Sequence, residues 1–385
     1  MKCPIYLDNA ASTFLDPRVL EKMLPFLKDP EFCGNSAGVH YYAWRAEQAI
    51  EAARLQVAEL INAQPREIIF TSGASESINL AIKGAAHFYR DKKHLVCATT
   101  EHKAVIETCR YLENLGYEVT YLQPTSDGLI SLEELAHCIR ADTLLVSIMH
   151  VNNEIGVVQD IARIGEITRE KGCLFHVDAA QSAGKLPIDV QSMAIDLLSL
   201  SSHKLYGPKG VGALFTRRKP RVYLTPLIHG GGHEEGLRAG TLATHQLVGF
   251  GEACAIAREE LPAVGAHLTH LRDALWQGLS SLPCAIRNGS TSAVAPHILN
   301  VTFKGIDGDI LATQLADIAV SSGSACNVIG SKPSHVLKAL GLSDEMIRST
   351  LRFSLGRFNT IEEIEYVVEY IQRQLTSLHQ LSERT

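Results

Sequence analysis

The stretch Ser201-Ser202-His203-Lys204-Leu205-Tyr206-Gly207-Pro208-Lys209-Gly210 organises the interpretation of the whole sequence. The apolar run 195–200 before it is short enough for a buried strand, and 210–215 has the pattern of a return strand after a glycine–proline turn. Lys204 is therefore expected where a buried strand ends. Partial desolvation there lowers the pKa of a lysine and suits it to form a Schiff base with an aldehyde. A surface lysine in a hairpin is the alternative interpretation, and other parts of the chain must decide between the two.

The composition is that of a globular protein with two or three domains. The chain has 385 residues and a net charge of −6, which does not favour binding to nucleic acid or to a membrane surface. No apolar run approaches the roughly 18 residues that span a bilayer. The nine cysteines form no CxxC pair, which argues against a disulfide framework or a thiolate zinc site. We therefore expect a reducing compartment, with the cytoplasm as the default location.

Short apolar segments alternate with helical patterns through the first two thirds of the chain. This alternation predicts βαβ units and a mostly parallel sheet that is covered by helices on both faces. Ligands of such sheets bind at the carboxyl ends of the strands. The seven predicted strands are Glu67–Thr71, His94–Thr99, Glu118–Leu122, Thr143–His150, Leu174–Val177, Asp196–Leu200 and Val211–Thr216.

The pattern changes after about residue 260 and predicts a second, smaller α+β domain. Residues 14–260 are assigned to the large α/β domain, and 1–13 together with 261–385 to the small one. The elements predicted in the small domain are a helix Ala266–Leu279, a strand Ile298–Phe303, a short helix Ile310–Leu315 and a final helix that begins at the capping-box sequence Thr360–Glu363.

Polar residues follow several of the predicted strands. The turn at 71–77 leads into an apolar helix and offers free N–H groups and hydroxyls, which suit a phosphate as well as an ordinary helix cap. Asp178 ends a buried strand, where a carboxylate can keep a pyridine nitrogen protonated or can form a buried ion pair. His102 can stack on a cofactor or play a structural part, and Asn153 can present an amide to a ligand.

Cys326 lies among small residues in Ser322-Gly323-Ser324-Ala325-Cys326, a setting that suits an exposed thiol in a moving loop better than a core cysteine.

Motifs that would indicate other functions are weaker. Residues 34–38 match G-x-S-x-G but follow no apolar strand, which disfavours a hydrolase. His229 and His233 have the spacing of zinc ligands on a helix, but three glycines separate them.

Ten stretches in chain order together resemble the cysteine desulfurases of the NifS/IscS type, which are pyridoxal-phosphate enzymes of aminotransferase class V. The resemblance implies a fold type I transferase of the α/β class, with a mostly parallel seven-stranded sheet and a smaller α+β domain. The loop around Cys326 is similar to that of the long-loop group, which serves iron–sulfur cluster assembly. The ten stretches are Tyr6–Ala11, Thr71–Ala74, Thr100–Lys103, His150–Gly156, His176–Ser182, Ser201–Gly210, His229–Gly232, Arg238–Thr241, Ser322–Cys326 and Arg352–Arg357.

The resemblance also implies a role for each candidate residue. Lys204 would bind pyridoxal 5'-phosphate covalently, Asp178 would pair with the ring nitrogen, Gln181 with the ring hydroxyl, and His102 would stack on the ring. The phosphate would be held by Ala74, Ser75, Ser201, His203 and, from a second subunit of a homodimer, Thr241. Asn153 and Arg352 would bind the substrate carboxylate, for which the planar fork of arginine is suited.

The implied activity is conversion of L-cysteine to L-alanine, with transfer of sulfur to Cys326 as a persulfide. Lys204 would move the Cα proton, and His102 is the candidate base for the Cys326 thiol. A cluster scaffold or a sulfur-relay protein would then accept the sulfur. A selenocysteine lyase or another class V enzyme, and an inactive binding platform for sulfur-transfer partners, are the alternatives.

Overall fold

The computed structural model describes residues 4–322 and 333–382, so Cys326 lies outside the described residues. Its centre is a seven-stranded sheet whose spatial order is Ile68–Thr71, Gly212–Thr216, Leu197–Ser201, Leu174–Asp178, Thr143–Ser147, His94–Ala98 and Glu118–Leu122. Gly212–Thr216 runs antiparallel to both of its neighbours, and the other pairs are parallel. The predicted strands and the mostly parallel sheet are confirmed.

One predicted strand ends earlier than expected. The strand Thr143–Ser147 stops before the predicted end at His150. Its backbone nevertheless stays beside the neighbouring strand, because the Ile148 N–H donates to the His176 carbonyl at 3.1 Å and the His150 N–H to the Asp178 carbonyl at 3.0 Å. The chain therefore delivers the polar residues after 150 to the same edge of the sheet as Asp178.

Helices cover both faces of the sheet, because successive strand residues point to opposite sides. Val96 belongs to one buried cluster, and its neighbours Leu95 and Cys97 belong to the cluster on the other face. The helices of this part are Pro17–Met23, Pro25–Lys28, Tyr41–Leu60, Ala74–Phe88, Lys103–Glu113, Leu132–Cys138 and Ile161–Lys171, and the 3₁₀ helices are Pro30–Phe32, Pro65–Glu67, Ser202–Lys204 and Glu234–Gly236.

A smaller antiparallel sheet follows, in the order Ser321–Ser322, Thr350–Ser354, Ile298–Phe303 and Ala285–Arg287. The strand Ile5–Tyr6 pairs in parallel with Ile318–Ala319, and Leu7 packs in the same core as Phe353. The N-terminal segment therefore joins this part of the molecule. The helices here are Gly308–Gln314, His335–Ala339, Asp344–Arg348 and Ile361–Ser382.

The helix predicted to begin at Ala266 begins much earlier. A single helix runs from Thr244 to Leu279 and contains Pro262. Its first half packs in the core of the large sheet up to Ala257, and its second half packs in the core of the small sheet from Leu268. The prediction was wrong because the apolar face changes sides along the helix and because an internal proline normally ends one.

The division of the chain near residue 260 stays a prediction, although the helix changes cores there. Within residues 4–322 and 333–382, no helix is both long enough and apolar enough to cross a bilayer.

Candidate active site

The carboxyl ends of the strands open into a cavity of about 610 Å³. This volume suits a small-molecule site, for which roughly 300–1,000 Å³ is typical. Residues from both parts of the molecule line the cavity. Ten of the twelve predicted site residues are among them: Ala74, Ser75, His102, Asn153, Asp178, Gln181, Ser201, His203, Lys204 and Arg352.

Lys204 ends the 3₁₀ turn that follows the strand Leu197–Ser201. Its Nζ donates to the backbone carbonyl oxygens of Ala10 at 2.6 Å and Ala11 at 2.7 Å. Burial and, secondly, the Arg352 charge lower the pKa of Lys204 to about 8, against the opposing effect of Asp178. A usable fraction of this amine is therefore unprotonated near neutral pH, as a nucleophilic lysine requires.

Asp178 is the last residue of the strand Leu174–Asp178 and is only 4% exposed. Its Oδ1 accepts a hydrogen bond from the Ala180 N–H at 2.9 Å. Burial raises the pKa of Asp178, and the charges of His102 and Lys204 oppose that shift. A carboxylate in this position is stabilised by a cationic partner inside the cavity.

His102 caps the helix Lys103–Glu113, because its Nδ1 accepts a hydrogen bond from the Ala104 N–H at 3.1 Å. The neutral ring therefore carries its proton on Nε2. Desolvation by the surrounding protein lowers the pKa of His102, which favours this neutral form. His102 can accept a proton at Nδ1 only by giving up the capping bond, whereas its place in the cavity lining allows its ring to stack on a ligand.

One end of the cavity is suited to an anion. No side chain caps the helix Ala74–Phe88, whose N-cap residue Gly73 has φ of +151°. A Cβ at Gly212 would lie 2.6 Å from the Gly73 Cα. The close approach of these two backbone segments therefore requires glycine at position 212. The first turn of the helix, with Ser75, therefore presents its N–H groups and its positive dipole end to the cavity.

His203 and Ser201 border the same end. The His203 Nδ1 lies 3.2 Å from the Ser12 hydroxyl. Burial, followed by the Lys204 charge, lowers the pKa of His203 to about 4, so its ring is neutral without a ligand. These groups can donate hydrogen bonds to an anion without adding a permanent charge.

Arg352 forms the opposite wall and is already paired. Its Nη1 donates to the Asn153 carbonyl at 2.8 Å, and its Nη2 donates to Asp8 Oδ1 and Ser321 Oγ, each at 2.7 Å. Its buried Nε has no hydrogen-bond partner in the described parts of the chain. The guanidinium is held in one orientation and keeps a donor for a further acceptor.

The neighbouring residues Asn152 and Asn153 have different roles. The Asn152 side chain is buried and donates to the Thr100 carbonyl at 2.9 Å, and its Oδ1 accepts from the Glu154 and Ile155 N–H groups at 2.9 and 3.0 Å. Asn152 therefore shapes the turn, while Asn153 lines the cavity.

Sequence reasoning missed two carboxyl groups next to residues that line the cavity. Asp8 holds Arg352 across the small sheet, a pairing that no local pattern reveals. Glu101 is fully buried beside His102; its Oε1 accepts the Met149 N–H at 2.8 Å. Burial raises the pKa of Glu101 well above its usual range, which favours the neutral acid form. A polar residue at a strand end was the available signal for Glu101.

Thr241 is exposed and does not line the cavity of the single chain. Its predicted contact with a cofactor depends on a second subunit and stays a prediction. Cys326 lies outside the described residues, and its role stays a prediction too. Among the described cysteines, Cys33 is exposed and Cys97, Cys109, Cys173 and Cys254 are buried.

Comparison with known proteins shows which family the chain belongs to. The sequence model of the family described as aminotransferase class-V matches residues 5–367. The chain is 57% identical over 384 residues to the cysteine desulfurase IscS of Shewanella sediminis, covering 99% of this chain and 95% of that protein. It is 56% identical over 384 residues to the cysteine desulfurase IscS of Klebsiella pneumoniae, with the same coverage.

Solved structures agree. A NifS-like protein superimposes with a TM-score of 0.90 at 38% identity, over 97% of this chain and 99% of that one. A structure described as SspA in complex with cysteine gives 0.82 at 43% identity, over 92% and 100% of the two chains.

Proposed function

Since the chain belongs to the aminotransferase class-V family, we infer that it is a cysteine desulfurase that converts L-cysteine to L-alanine. The observation that carries this inference is the meeting of Lys204, Asp178 and Arg352 in one cavity of a chain that is 57% identical to a cysteine desulfurase. A reactive amine, a buried carboxylate and a held guanidinium are the groups that amino-acid chemistry on an aldehyde cofactor requires.

The cofactor is pyridoxal 5'-phosphate, and the cavity fits its parts. The uncapped helix at Gly73 suits the phosphate, and the half-buried Lys204 amine suits the aldehyde. The buried Asp178 carboxylate suits a protonated ring nitrogen, since burial raises its own pKa and a cationic partner counters that effect. When bound, such a cofactor stores the electrons released as the bonds at the substrate Cα and Cβ rearrange.

The protein residues divide the remaining work. Ala74, Ser75, Ser201 and His203 bind the phosphate, Gln181 binds the ring hydroxyl, and the His102 ring stacks on the cofactor face. Asp178 keeps the ring nitrogen protonated. Arg352, with Asn153 beside it, binds the carboxylate of L-cysteine and so orients its Cα toward the cavity.

Lys204 also moves a proton. Once its amine is free of the cofactor, it takes the proton from the substrate Cα and returns one to the carbon skeleton. Its pKa of about 8 lies close to neutral pH, where a general base and acid works most efficiently.

The sulfur leaves as a persulfide of Cys326. The Cys326 thiolate attacks the sulfur of the bound cysteine, an S–S bond forms and the C–S bond breaks. The electron pair of the C–S bond stays with carbon, which takes up the thiol proton of the substrate to complete the methyl group of L-alanine. The protein keeps the sulfur as Cys326–S–S⁻, ready for a protein acceptor in iron–sulfur cluster assembly or in a thiolation pathway.

The active form is a homodimer. Large aromatic side chains are exposed together at the start of the helix Tyr41–Leu60: Tyr41 is 55% and Trp44 51% exposed, with ring centroids 6.5 Å apart. Exposed apolar groups of this size are typical of an interface. Thr241, which is exposed here, contacts the cofactor phosphate of the second subunit.

The test uses the purified chain supplied with pyridoxal phosphate and L-cysteine. Alanine and sulfide should form in equal amounts when a thiol reductant is present. Borohydride should fix the cofactor on the peptide that contains Lys204. Cys326→Ala should retain the cofactor absorption band and form no persulfide. Absence of alanine formation by the cofactor-loaded wild type would overturn the proposal.

A further inference from the structure

A second lysine is buried behind the cavity. Lys185 is 6% exposed and follows the strand Leu174–Asp178 by seven residues. Its Nζ donates a hydrogen bond of 2.7 Å to the backbone carbonyl oxygen of Lys204. The reactive lysine is therefore held through its main chain by the side chain of another lysine.

The backbone after Lys204 needs such support. Tyr206 is a non-glycine residue with φ of +66°, in the left-handed region that L-amino acids rarely adopt. On one side of this turn, Thr13 Oγ1 donates to the His203 carbonyl at 3.0 Å and accepts the Tyr206 N–H at 2.8 Å. Lys185 anchors the same turn at the carbonyl of Lys204. The two contacts together fix where the Lys204 side chain leaves the main chain.

We propose that Lys185 is a positioning residue that sets the backbone of Lys204, and with it the place of the reactive amine. This rests on the proposed function of Lys204 as the cofactor-binding lysine. Lys185 does not line the cavity and takes no part in the chemistry.

The surroundings of Lys185 explain how a buried lysine can donate this hydrogen bond to the Lys204 carbonyl. The charged groups that act on Lys185 are the cations Lys204 and Arg357, and His297 lies close enough to feel the Lys185 charge. Burial and these cations lower the pKa of Lys185 to about 7, so a large fraction is neutral at neutral pH. A neutral amine still donates the hydrogen bond, whereas an apolar side chain would leave a buried carbonyl unpaired.

The test compares Lys185→Met with Lys92→Met. Lys92 is a matched control, because its Nζ also donates to backbone carbonyls, those of Thr143 at 3.2 Å and Gly172 at 3.0 Å, away from the cavity. Three quantities are measured: the melting temperature of the apoprotein, the dissociation constant of pyridoxal phosphate, and the rate at which acetic anhydride labels Lys204 in the apoprotein.

Lys185→Met should weaken cofactor binding about tenfold and change the labelling rate of Lys204, because the unpaired carbonyl favours a shift of the turn away from the geometry that binds the cofactor. Lys92→Met should change neither. An affinity and a Lys204 labelling rate equal to those of the wild type in Lys185→Met would overturn the proposal, as would equal losses in both variants.

A measurement on the wild type does not depend on the folding of a variant. In the apoprotein, Lys185 should be labelled by acetic anhydride at least about tenfold more slowly than Lys204, because the Lys185 side chain is buried whereas Lys204 lines the open cavity. Equal rates would refute the contact. The borohydride experiment on wild type separates the two ideas: if Lys204 never binds the cofactor, the proposed function fails, whatever the Lys185 variants do.

Discussion

The two walls of the cavity differ in how the charges of their polar groups are balanced. The sheet wall, formed by Asp178, His102, Lys204 and the start of the helix Ala74–Phe88, carries groups whose pKa values are shifted by burial and a helix end that no side chain caps. At the other wall, here named the carboxylate wall for the substrate group that it is proposed to bind, Arg352 lines the cavity and donates to Asp8 Oδ1 and Ser321 Oγ, each at 2.7 Å.

This difference shows what each wall is for. In the protein without a ligand, burial destabilises the charged forms of the sheet-wall groups, and the helix end lacks a partner for its N–H groups. A ligand with a phosphate, an aldehyde and a cationic ring nitrogen compensates for all of these unfavourable terms. The carboxylate wall is rigid before any ligand arrives, so it orients a substrate without paying for its own ordering. The sheet wall therefore binds a ligand by providing opposite charges and hydrogen-bond partners to it, and the carboxylate wall binds by preorganisation.

The largest expected effect is on the sheet wall. Asp178→Asn keeps an oxygen for the Ala180 N–H but removes the charge, so kcat should fall about 10²- to 10³-fold, as when a single electrostatic contact to the transition state is lost. The steady-state rate of alanine formation measures this. A variant that keeps more than about a tenth of the wild-type kcat would contradict the assignment.

The stability of the same variant is the control. Burial raises the folded-state pKa of Asp178 above its unfolded value, so the ionised carboxylate costs stability as pH rises through that folded-state pKa. The apoprotein of Asp178→Asn should therefore melt no lower than wild type at neutral pH. A lower melting temperature would assign the activity loss to misfolding.

The carboxylate wall should show its effect in KM. Arg352→Gln should raise the KM for L-cysteine about 10- to 100-fold, because hydrogen bonds to a charged group contribute roughly 1.5–3 kcal/mol. Cofactor affinity should change much less. L-cysteine methyl ester is the matched substrate: wild type should bind it as poorly as the variant binds L-cysteine. A variant that still prefers L-cysteine to the ester as strongly as wild type does would exclude Arg352 from carboxylate binding.

The same variant tests whether the two walls are coupled by charge. Attachment of pyridoxal phosphate to the apoprotein needs unprotonated Lys204, so its rate should rise about tenfold per pH unit below the pKa of about 8 and level off above it. Arg352→Gln removes a charge that lowers this pKa, so the midpoint should move to higher pH. Stopped-flow absorbance measures the rate, and an unmoved midpoint would mean that the walls act independently.

The smallest effect should leave both walls untouched. The Ser131 hydroxyl accepts the Glu134 N–H at 3.2 Å at the start of the helix Leu132–Cys138, away from the cavity. Ser131→Ala should lower the free energy of unfolding by about 1 kcal/mol, measured by urea titration, with unchanged kcat and KM. A change in either kinetic constant would show that the cavity responds to general destabilisation, which would weaken the comparison.

Local patterns were enough to predict the large sheet. Apolar runs such as His94–Ala98 and Leu174–Asp178 are buried on both faces, so each shows in the sequence without reference to its neighbours. The polar residues at their ends were predicted to meet because parallel strands share an edge. The capping box at Thr360 is confirmed as well, with Glu363 Oε2 accepting the Thr360 N–H at 3.2 Å and Thr360 Oγ1 accepting the Glu363 N–H at 3.3 Å.

The helix Thr244–Leu279 shows where local reasoning fails. Its apolar residues face two different cores in succession, so no single period describes it, and Pro262 has the local signature of a helix end. Packing on both sides outweighs the intrinsic cost of the proline.

The sequence by itself determined the strands, the strand-end residues and, through ten ordered motifs, the family and its chemistry. Only the tertiary structure decided that Asp8 holds Arg352, 344 positions away, and that Lys185 bonds to the main chain of Lys204. The physical reason is the separation along the sequence. An apolar periodicity is a pattern of neighbouring residues, whereas the partner of a buried charge or carbonyl is fixed only when distant segments pack together.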